Sequence, residues 1–163
     1  MALLAVLPAL LVAVGLPAFA PSAFADTPVV NSTIDNPAPA PCDTVTMSIT
    51  FTNTQATDVN FVYLSINTSY PTETVPGLQW TITSCTGDVS WCPGGAMHFT
   101  APIPPGASRT AVVTYQVAST SACGEADGIG FFFYYYDEFT DASGNFASTD
   151  GEAGSPVAYV TCT

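Results

Sequence analysis

The chain has 163 residues with 13 acidic side chains and a single cationic one, Arg109, so its formal net charge at pH 7 is −12. A surface of that charge repels phosphate backbones and anionic lipid headgroups, which excludes nucleic acid and a charged membrane as natural partners. The remaining candidate partners are neutral molecules, cationic molecules and metal ions. The chain is long enough for one domain with a core of its own and too short for two of ordinary size.

The first stretch of the chain has the features of a secretory signal peptide. Residues 1–25, MALLAVLPALLVAVGLPAFAPSAFA, are apolar, are interrupted by Pro8 and Pro17, and end in the small-x-small sequence AFA. This pattern predicts cleavage after Ala25 and a secreted protein, either extracellular or associated with the cell surface, with no membrane contact after cleavage. The alternative is an uncleaved anchor, which the lack of a charged stop-transfer segment after the apolar run disfavours.

The next segment is predicted to be an extended stretch and a linker that precede the folded domain. Residues 26–41, DTPVVNSTIDNPAPAP, hold a short extended segment and then a Pro-Ala run. Such a run is typical of a stiff polyproline-like linker. We therefore expect the domain to occupy residues 42–163.

The domain begins with a strict alternation of apolar and polar residues in DTVTMSITFTN, and the same alternation returns in SRTAVVTYQV. A period of two predicts antiparallel strands with one wet face. The predicted core positions are Val45, Met47, Ile49 and Phe51 in the first segment and Ala111, Val113, Tyr115 and Val117 in the second.

Further short strands are predicted at DVNFVYLSIN, LQWTITSC and AMHFTAPI, and then at the aromatic stretch GFFFYYYDEF and at SPVAYVTC. Turn sequences such as NTQATD, IPPGAS and DASGN separate them, and no segment shows a helical period. The sequence therefore predicts an all-β protein, an immunoglobulin-like antiparallel β-sandwich of about seven strands.

The order DTVTMSITFTNT, DVNFVYL, IPPGASRTAVVTYQV and a final pair of strands resembles a family of Thr/Asn-rich immunoglobulin-like domains. That family, a domain of unknown function, is found in bacterial and archaeal secreted and surface proteins. The resemblance covers residues 42–163 and implies a fold and an extracellular or surface location, and it implies no reaction.

The cysteines are expected to form disulfides, because the protein is predicted to be exported to an oxidising compartment. Cys85 and Cys92 flank the short turn-rich segment TGDVSW, where a cross-link is geometrically easy. Antiparallel pairing of the strands should bring the other three thiols to one pole of the sandwich. There we favour Cys123–Cys162, with Cys42 free or intermolecular, and Cys42–Cys162 is the alternative.

The sequence predicts no catalytic residues. His98 is the single histidine, it lies in the predicted strand MHFT, and no Gly-x-Ser-x-Gly elbow is present. The one dense pair of carboxylates near aromatic residues, Asp137 and Glu138, would point to opposite faces of a strand and so could not act together on one sugar.

Acidic residues near the end of the chain allow a calcium site as an alternative to the absence of any cofactor. Carboxylates clustered at a loop end repel one another until a cation binds. The candidate ligands are Asp137, Asp141, Asp150 and Glu152. An EF-hand is not indicated, because Phe146 stands where its loop requires glycine.

The aromatic stretch suggests a binding face. We assign Ile129, Phe131, Phe133 and Tyr135 to the core and expect the stretch to pair with DVNFVYLSIN. The predicted binding face consists of Phe132, Tyr134, Tyr136, Val62, Leu64 and Ile66. Its three aromatic side chains alone would expose roughly 450–750 Å², as much as the largest apolar patch of a typical monomer. Either the segment 67–80 covers this patch or a partner does.

Together these features predict a secreted, non-enzymatic surface or extracellular interaction module. Its partner would be a protein or a second copy of the chain, with a neutral glycan as a further candidate. One alternative is a self-assembling fibre or coat subunit that adds the segment TPVVNSTI to the sheet edge of a neighbour. The other is a small calcium-dependent carbohydrate-binding module.

Overall fold

The computed structural model describes residues 29–162, so the predicted signal peptide lies outside the described residues. The described chain forms two antiparallel sheets, which confirms the immunoglobulin-like β-sandwich. Its elements are β1 (Val30–Ile34), β2 (Thr44–Thr52), β3 (Val59–Thr68), α1 (Tyr70–Glu73), β4 (Trp80–Gly87), β5 (Val89–Trp91), β6 (Ala96–Phe99), β7 (Ser108–Val117), β8 (Phe131–Thr140) and β9 (Phe146–Gly154).

The strands divide between two sheets. Sheet I has the order β1-β2-β7-β4, and sheet II has the order β5-β6-β3-β8-β9. The two alternating segments, β2 and β7, pair antiparallel from Thr44 opposite Gln116 to Thr52 opposite Ser108. The aromatic strand β8 pairs antiparallel with β3, as the sequence predicted.

The core lies between the two sheets and is formed by the inward side chains of both. All the core positions predicted for β2 and β7 are buried. Aromatic rings connect the sheets: the ring centroids of Phe51 and Phe99 are 6.0 Å apart, and those of Tyr115 and Phe131 are 5.3 Å apart. Alternation located this core because each of these strands has one polar face.

The last strand is not the one that the sequence predicted. The segment SPVAYVTC forms no strand, and its one ladder pairing is an isolated bridge between Ala158 and Ile129. The strand that pairs with β8 is β9, whose sequence FASTDGEAG has low β-propensity. Pairing with β8 stabilises it there, and Gly151 leaves room for the ring of Tyr135, which a Cβ atom would overlap.

The predicted linker also differs from the structure. The strand β1 pairs with β2, and Val30 is buried. Further along, the backbone carbonyls of Pro37 and Pro39 accept hydrogen bonds from the amides of Tyr159 and Thr161. The residues from Val29 onward therefore pack on the sandwich, and the described part of the segment TPVVNSTI lies at the edge of the chain's own sheet I.

The structure contains the two disulfides that the sequence favoured. Cys85 and Cys92 are joined with a Cα–Cα distance of 6.1 Å, and Cys123 and Cys162 with one of 5.1 Å. Cys42 is exposed and unpaired in the described chain. Its amide donates to the carbonyl of Val117, at the end of β7, so the free thiol lies at the pole where β7 ends.

Candidate functional site

The outer surface of sheet II carries the predicted aromatic residues of β8. The residues of β3 that face outward beside them are not the ones that the sequence predicted. Val62, Leu64 and Ile66 were expected outside and are instead in the core, with exposed fractions of 0%, 0% and 8%. Pairing explains this, because Leu64 lies opposite Tyr135 and Ile66 lies opposite the buried Phe133. Residues directly opposite in an antiparallel pair share one face of the sheet.

The alternation of β8 is as the sequence assigned it. Ile129, Phe131 and Phe133 are buried, and Tyr135 packs against the core. Phe132, Tyr134 and Tyr136 are partly exposed on the opposite, outer side. The outward residues of β3 that lie beside them are Phe61, Tyr63, Ser65 and Asn67.

Two further strands extend the aromatic surface beyond β3. His98 of β6 lies opposite Tyr63, and Trp91 of β5 lies opposite His98. The ring of His98 is 4.9 Å from that of Phe61, 5.8 Å from that of Tyr63 and 4.8 Å from that of Trp91. We call this surface the aromatic face and define it as Phe61, Tyr63, Trp91, His98, Phe132, Tyr134 and Tyr136.

Carboxylates of β8 and β9 border the aromatic face. The hydroxyl of Tyr136 donates to Glu138 Oε1 at 3.0 Å, and the hydroxyl of Tyr134 donates to Asp150 Oδ2 at 3.4 Å. Desolvation and then the negative charge of Asp150 raise the pKa of the Tyr134 hydroxyl above its ordinary value. The face therefore combines rings with a negatively charged border.

The segment 67–80, which was one candidate cover for this surface, packs elsewhere. The hydroxyl of Thr72, in α1, donates to the carbonyl of Gly128 at 2.8 Å. The ring of Trp80 meets that of Phe131, on the core side of β8, at 6.1 Å. These contacts close one end of the sandwich, while Trp91 on the aromatic face stays 47% exposed.

The four predicted calcium ligands are not brought together. Asp137 is 1% exposed on the inner side of β8, whereas Asp150 and Glu152 lie on the outer side of β9. Asp141 lies in the β8–β9 turn, where its Oδ1 accepts the amides of Ser143 and Asn145. Within residues 29–162, no group of three or more His, Cys, Asp or Glu side chains is arranged to hold a metal ion.

Asp137 is a buried acid with an incomplete set of hydrogen bonds. The Thr149 hydroxyl donates to its Oδ2 at 2.7 Å, and its Oδ1 is buried without a partner among the described residues. Burial raises the pKa of Asp137, and the bonds from Thr149 oppose that rise without cancelling it. The folded state therefore binds the Asp137 proton more tightly than the unfolded state does.

This difference predicts a pH dependence of stability. Below the ordinary pKa of aspartate both states are protonated. As pH rises through the raised pKa of Asp137, the folded state loses stability, because it must then hold a buried charge. Asp137→Asn should therefore increase the free energy of unfolding at pH 7 by about 1 kcal/mol, and this gain should shrink towards pH 4. Urea unfolding of both proteins across that range measures it.

Asp141→Asn serves as a control of opposite sign. Its backbone hydrogen bonds lower the pKa of Asp141, so its contribution to stability is present at neutral pH and is lost as pH falls. The Asp141→Asn variant should be less stable than the wild type at pH 7 and should approach it in acid. An Asp137→Asn variant with the same pH profile as the wild type would contradict the account of the buried carboxyl.

Comparison with known proteins gives structural similarity alone. No family model matches the chain, and no curated protein matches it in sequence, so the resemblance to the Thr/Asn-rich domains stays a prediction. Among solved structures, the chain is similar to BcpA, the major pilin subunit of Bacillus cereus, with 14% identity and a TM-score of 0.46 over 82% of this chain. The match spans 40% of the length of that pilin.

Two shorter proteins are similar over most of their length. One is the collagen-binding subdomain of the Enterococcus faecalis surface protein ACE, with 9% identity and a TM-score of 0.43, covering 80% of this chain and 98% of that one. The other is AggA, the major subunit of aggregative adherence fimbriae type I from Escherichia coli, with 12% identity and a TM-score of 0.45, covering 80% and 94%. Similarities at this level assign no function to the chain. In residues 29–162, no helix is both long and apolar enough to cross a membrane.

Proposed function

We propose that the protein is a secreted, non-enzymatic interaction module at the cell surface or outside the cell, and that it binds its partner through the aromatic face. The observation that carries this proposal is the contiguous set of partly exposed rings on β5, β6, β3 and β8. The centroids of Trp91, His98 and Phe61 follow one another at 4.8 Å and 4.9 Å.

Burial of these rings against a partner would supply binding energy. Tyrosine and tryptophan dominate the energetic centres of protein interfaces because they bury a large area with few rotatable bonds and keep a polar group at the tip. Trp91 is 47% exposed, and Tyr63, Tyr134 and Tyr136 are partly exposed. An apolar patch that the chain's own segment 67–80 does not cover is a surface of the kind that marks an interaction site.

The sheet also supports the face sterically. The inner side of β3 and β8 is a packed core, with Leu64 and Phe133 fully buried. Rings on the outer side are thus held on a rigid platform and lose little freedom when a partner binds. Preorganisation of this kind lowers the entropic cost of association.

Replacement of two rings tests the proposal. We expect the purified protein to be retained on at least one of three matrices: microcrystalline cellulose, beads carrying an arginine-rich peptide, and beads carrying the protein itself. The double variant Trp91→Ser with Tyr63→Ser should bind that matrix at least about tenfold more weakly, because each exposed aromatic anchor contributes roughly 1–2 kcal/mol.

The matched control is Tyr159→Ser with Tyr70→Ser, which removes two exposed tyrosines outside the aromatic face, 49% and 78% exposed. This control should bind as the wild type does. Retention of the Trp91 and Tyr63 variant at the wild-type level, equal losses in both variants, or no retention of the wild type on any matrix would count against the proposal. Thermal unfolding of each variant verifies that the fold is kept.

A further inference from the structure

The register of sheet II places one row of side chains across the whole aromatic face. Trp91 lies opposite His98, His98 opposite Tyr63, Tyr63 opposite Tyr136, and Tyr136 opposite Asp150. Neighbouring strands are about 4.8 Å apart, so the row is about 19 Å long. It begins with an exposed indole and ends with a carboxylate.

Negative charge is concentrated at the carboxylate end of this row. Glu152 lies opposite Tyr134 on the same outer side, next to Asp150, and Glu138 accepts the hydroxyl of Tyr136. The chain's single cation does not neutralise them, since Arg109 belongs to β7 of sheet I and donates to the carbonyls of Thr100, Ser108 and Pro102. The three carboxylates thus face outward with tyrosine hydroxyls as neighbours.

Rings and carboxylates on one surface match the chemistry of arginine and lysine. A guanidinium or ammonium group is attracted to the face of an aromatic ring, most strongly to that of tryptophan, and the alkyl stem packs on the rings. Carboxylates at the end of the row would accept charge-assisted hydrogen bonds from further cationic groups. The net charge of −12 would also steer a cationic partner towards the protein.

Resting on the proposed function, we propose that the partner of the aromatic face is a cationic segment of another protein, which lies across the strands of sheet II in an extended conformation. At about 3.3 Å per residue, a segment of about six residues would follow the row from Trp91 to Asp150. With arginine or lysine at alternate positions, three cationic side chains would point at the face.

A second copy of the chain fits this surface less well. Two copies docked through the aromatic face would each bring Glu138, Asp150 and Glu152 into the interface, and like charges brought together there cost several kcal/mol. A neutral glycan could stack on the rings, but it would gain nothing from the charge. The cationic segment uses both the rings and the carboxylates.

Calorimetric titration of the purified protein with two blocked hexapeptides tests the inference. One has the sequence Arg-Thr-Arg-Thr-Arg-Thr, and the other has glutamine in place of each arginine. We expect the arginine peptide to bind at least about tenfold more tightly at low ionic strength, with the difference reduced by added salt. Asp150→Asn combined with Glu152→Gln should weaken binding of the arginine peptide about threefold to tenfold.

A charge-matched control separates the face from the general negative field. Glu125→Gln with Asp127→Asn removes two exposed carboxylates from the loop between β7 and β8 and changes the net charge by the same amount. This control should change the affinity for the arginine peptide less than about twofold. A loss as large as that of the Asp150 and Glu152 variant would overturn the inference, and so would equal binding of the two peptides.

Failure of this inference can be told apart from failure of the proposed function. If cellulose or the immobilised protein retains the wild type and this retention depends on Trp91 and Tyr63, while the arginine peptide is not preferred, the interaction face stands and the cationic partner is refuted. If the Trp91 and Tyr63 double variant binds the arginine peptide as tightly as the wild type and is retained as well as the wild type on every matrix, the face itself is refuted.

Discussion

Phe133→Ala should lower the free energy of unfolding by about 4 kcal/mol, whereas Phe132→Ala, one residue earlier, should lower it by about 1 kcal/mol or less. The ring of Phe133 is fully buried, opposite Ile66 of β3. Its removal leaves a cavity between the sheets in addition to the lost transfer free energy. Phe132 is partly exposed on the outer side of the same strand, opposite Asn67.

Guanidinium unfolding of the two variants measures this difference. Because the substitutions are chemically identical and adjacent, the comparison isolates the direction in which each ring points. Equal losses in the two variants, or a larger loss for Phe132→Ala, would contradict the orientation of β8. The outer surface of β8 would then be formed by other residues than Phe132, Tyr134 and Tyr136, and the proposed function would lose its basis.

Removal of the Cys123–Cys162 disulfide should destabilise the protein by about 4 kcal/mol, and removal of Cys85–Cys92 by roughly 2.5 kcal/mol. The first pair is separated by 39 residues and the second by 7. A cross-link that closes a longer loop removes more conformational entropy from the unfolded chain. The first pair also ties the C-terminal segment, whose Thr161 amide donates to Pro39, to the rest of the sandwich.

Denaturant unfolding compares two double variants. One carries Cys123→Ser and Cys162→Ser, and the other carries Cys85→Ser and Cys92→Ser. Each pair of substitutions is made in a Cys42→Ser background, because the free thiol could otherwise exchange with the disulfides. Cys42→Ser alone should leave the stability within about 0.5 kcal/mol of the wild type, since the side chain is exposed. A larger loss from the Cys85 and Cys92 pair would contradict the loop-length account.

The sequence by itself determined the parts of the fold in which each strand has one polar and one apolar face. The alternation of Val45, Met47, Ile49 and Phe51 with threonine and serine identified β2 and its core side, and the same pattern did so for β7. The spacing of the cysteines and the expected direction of the strands favoured the two pairs that the structure contains. For β2 and β7 the information was local, because a period of two is visible only when one face is wet.

Local alternation did not predict which residues of β3 belong to the candidate site. β3 has apolar side chains on both faces, among them Tyr63 on one and Leu64 on the other, so its alternation indicated the core side only weakly. Ser65 and Asn67, which fall in the same set as Tyr63, were the one local sign that this set faces outward. Pairing with β8 decided the question, because Leu64 is held opposite Tyr135.

The remaining features depended on contacts between residues far apart in the chain. β9 is a strand because it pairs with β8, although its own residues favour a turn or loop. Trp91 and His98 join the aromatic face because β5 and β6 lie at the edge of sheet II, beside β3. Asp137 does not lie near the other predicted calcium ligands, because its side chain points inward from β8 while those of Asp150 and Glu152 point outward from β9. Composition determined the charge, and alternation with turn sequences determined the class of fold. The tertiary structure alone decided which rings and carboxylates share one surface, since that depends on strand register.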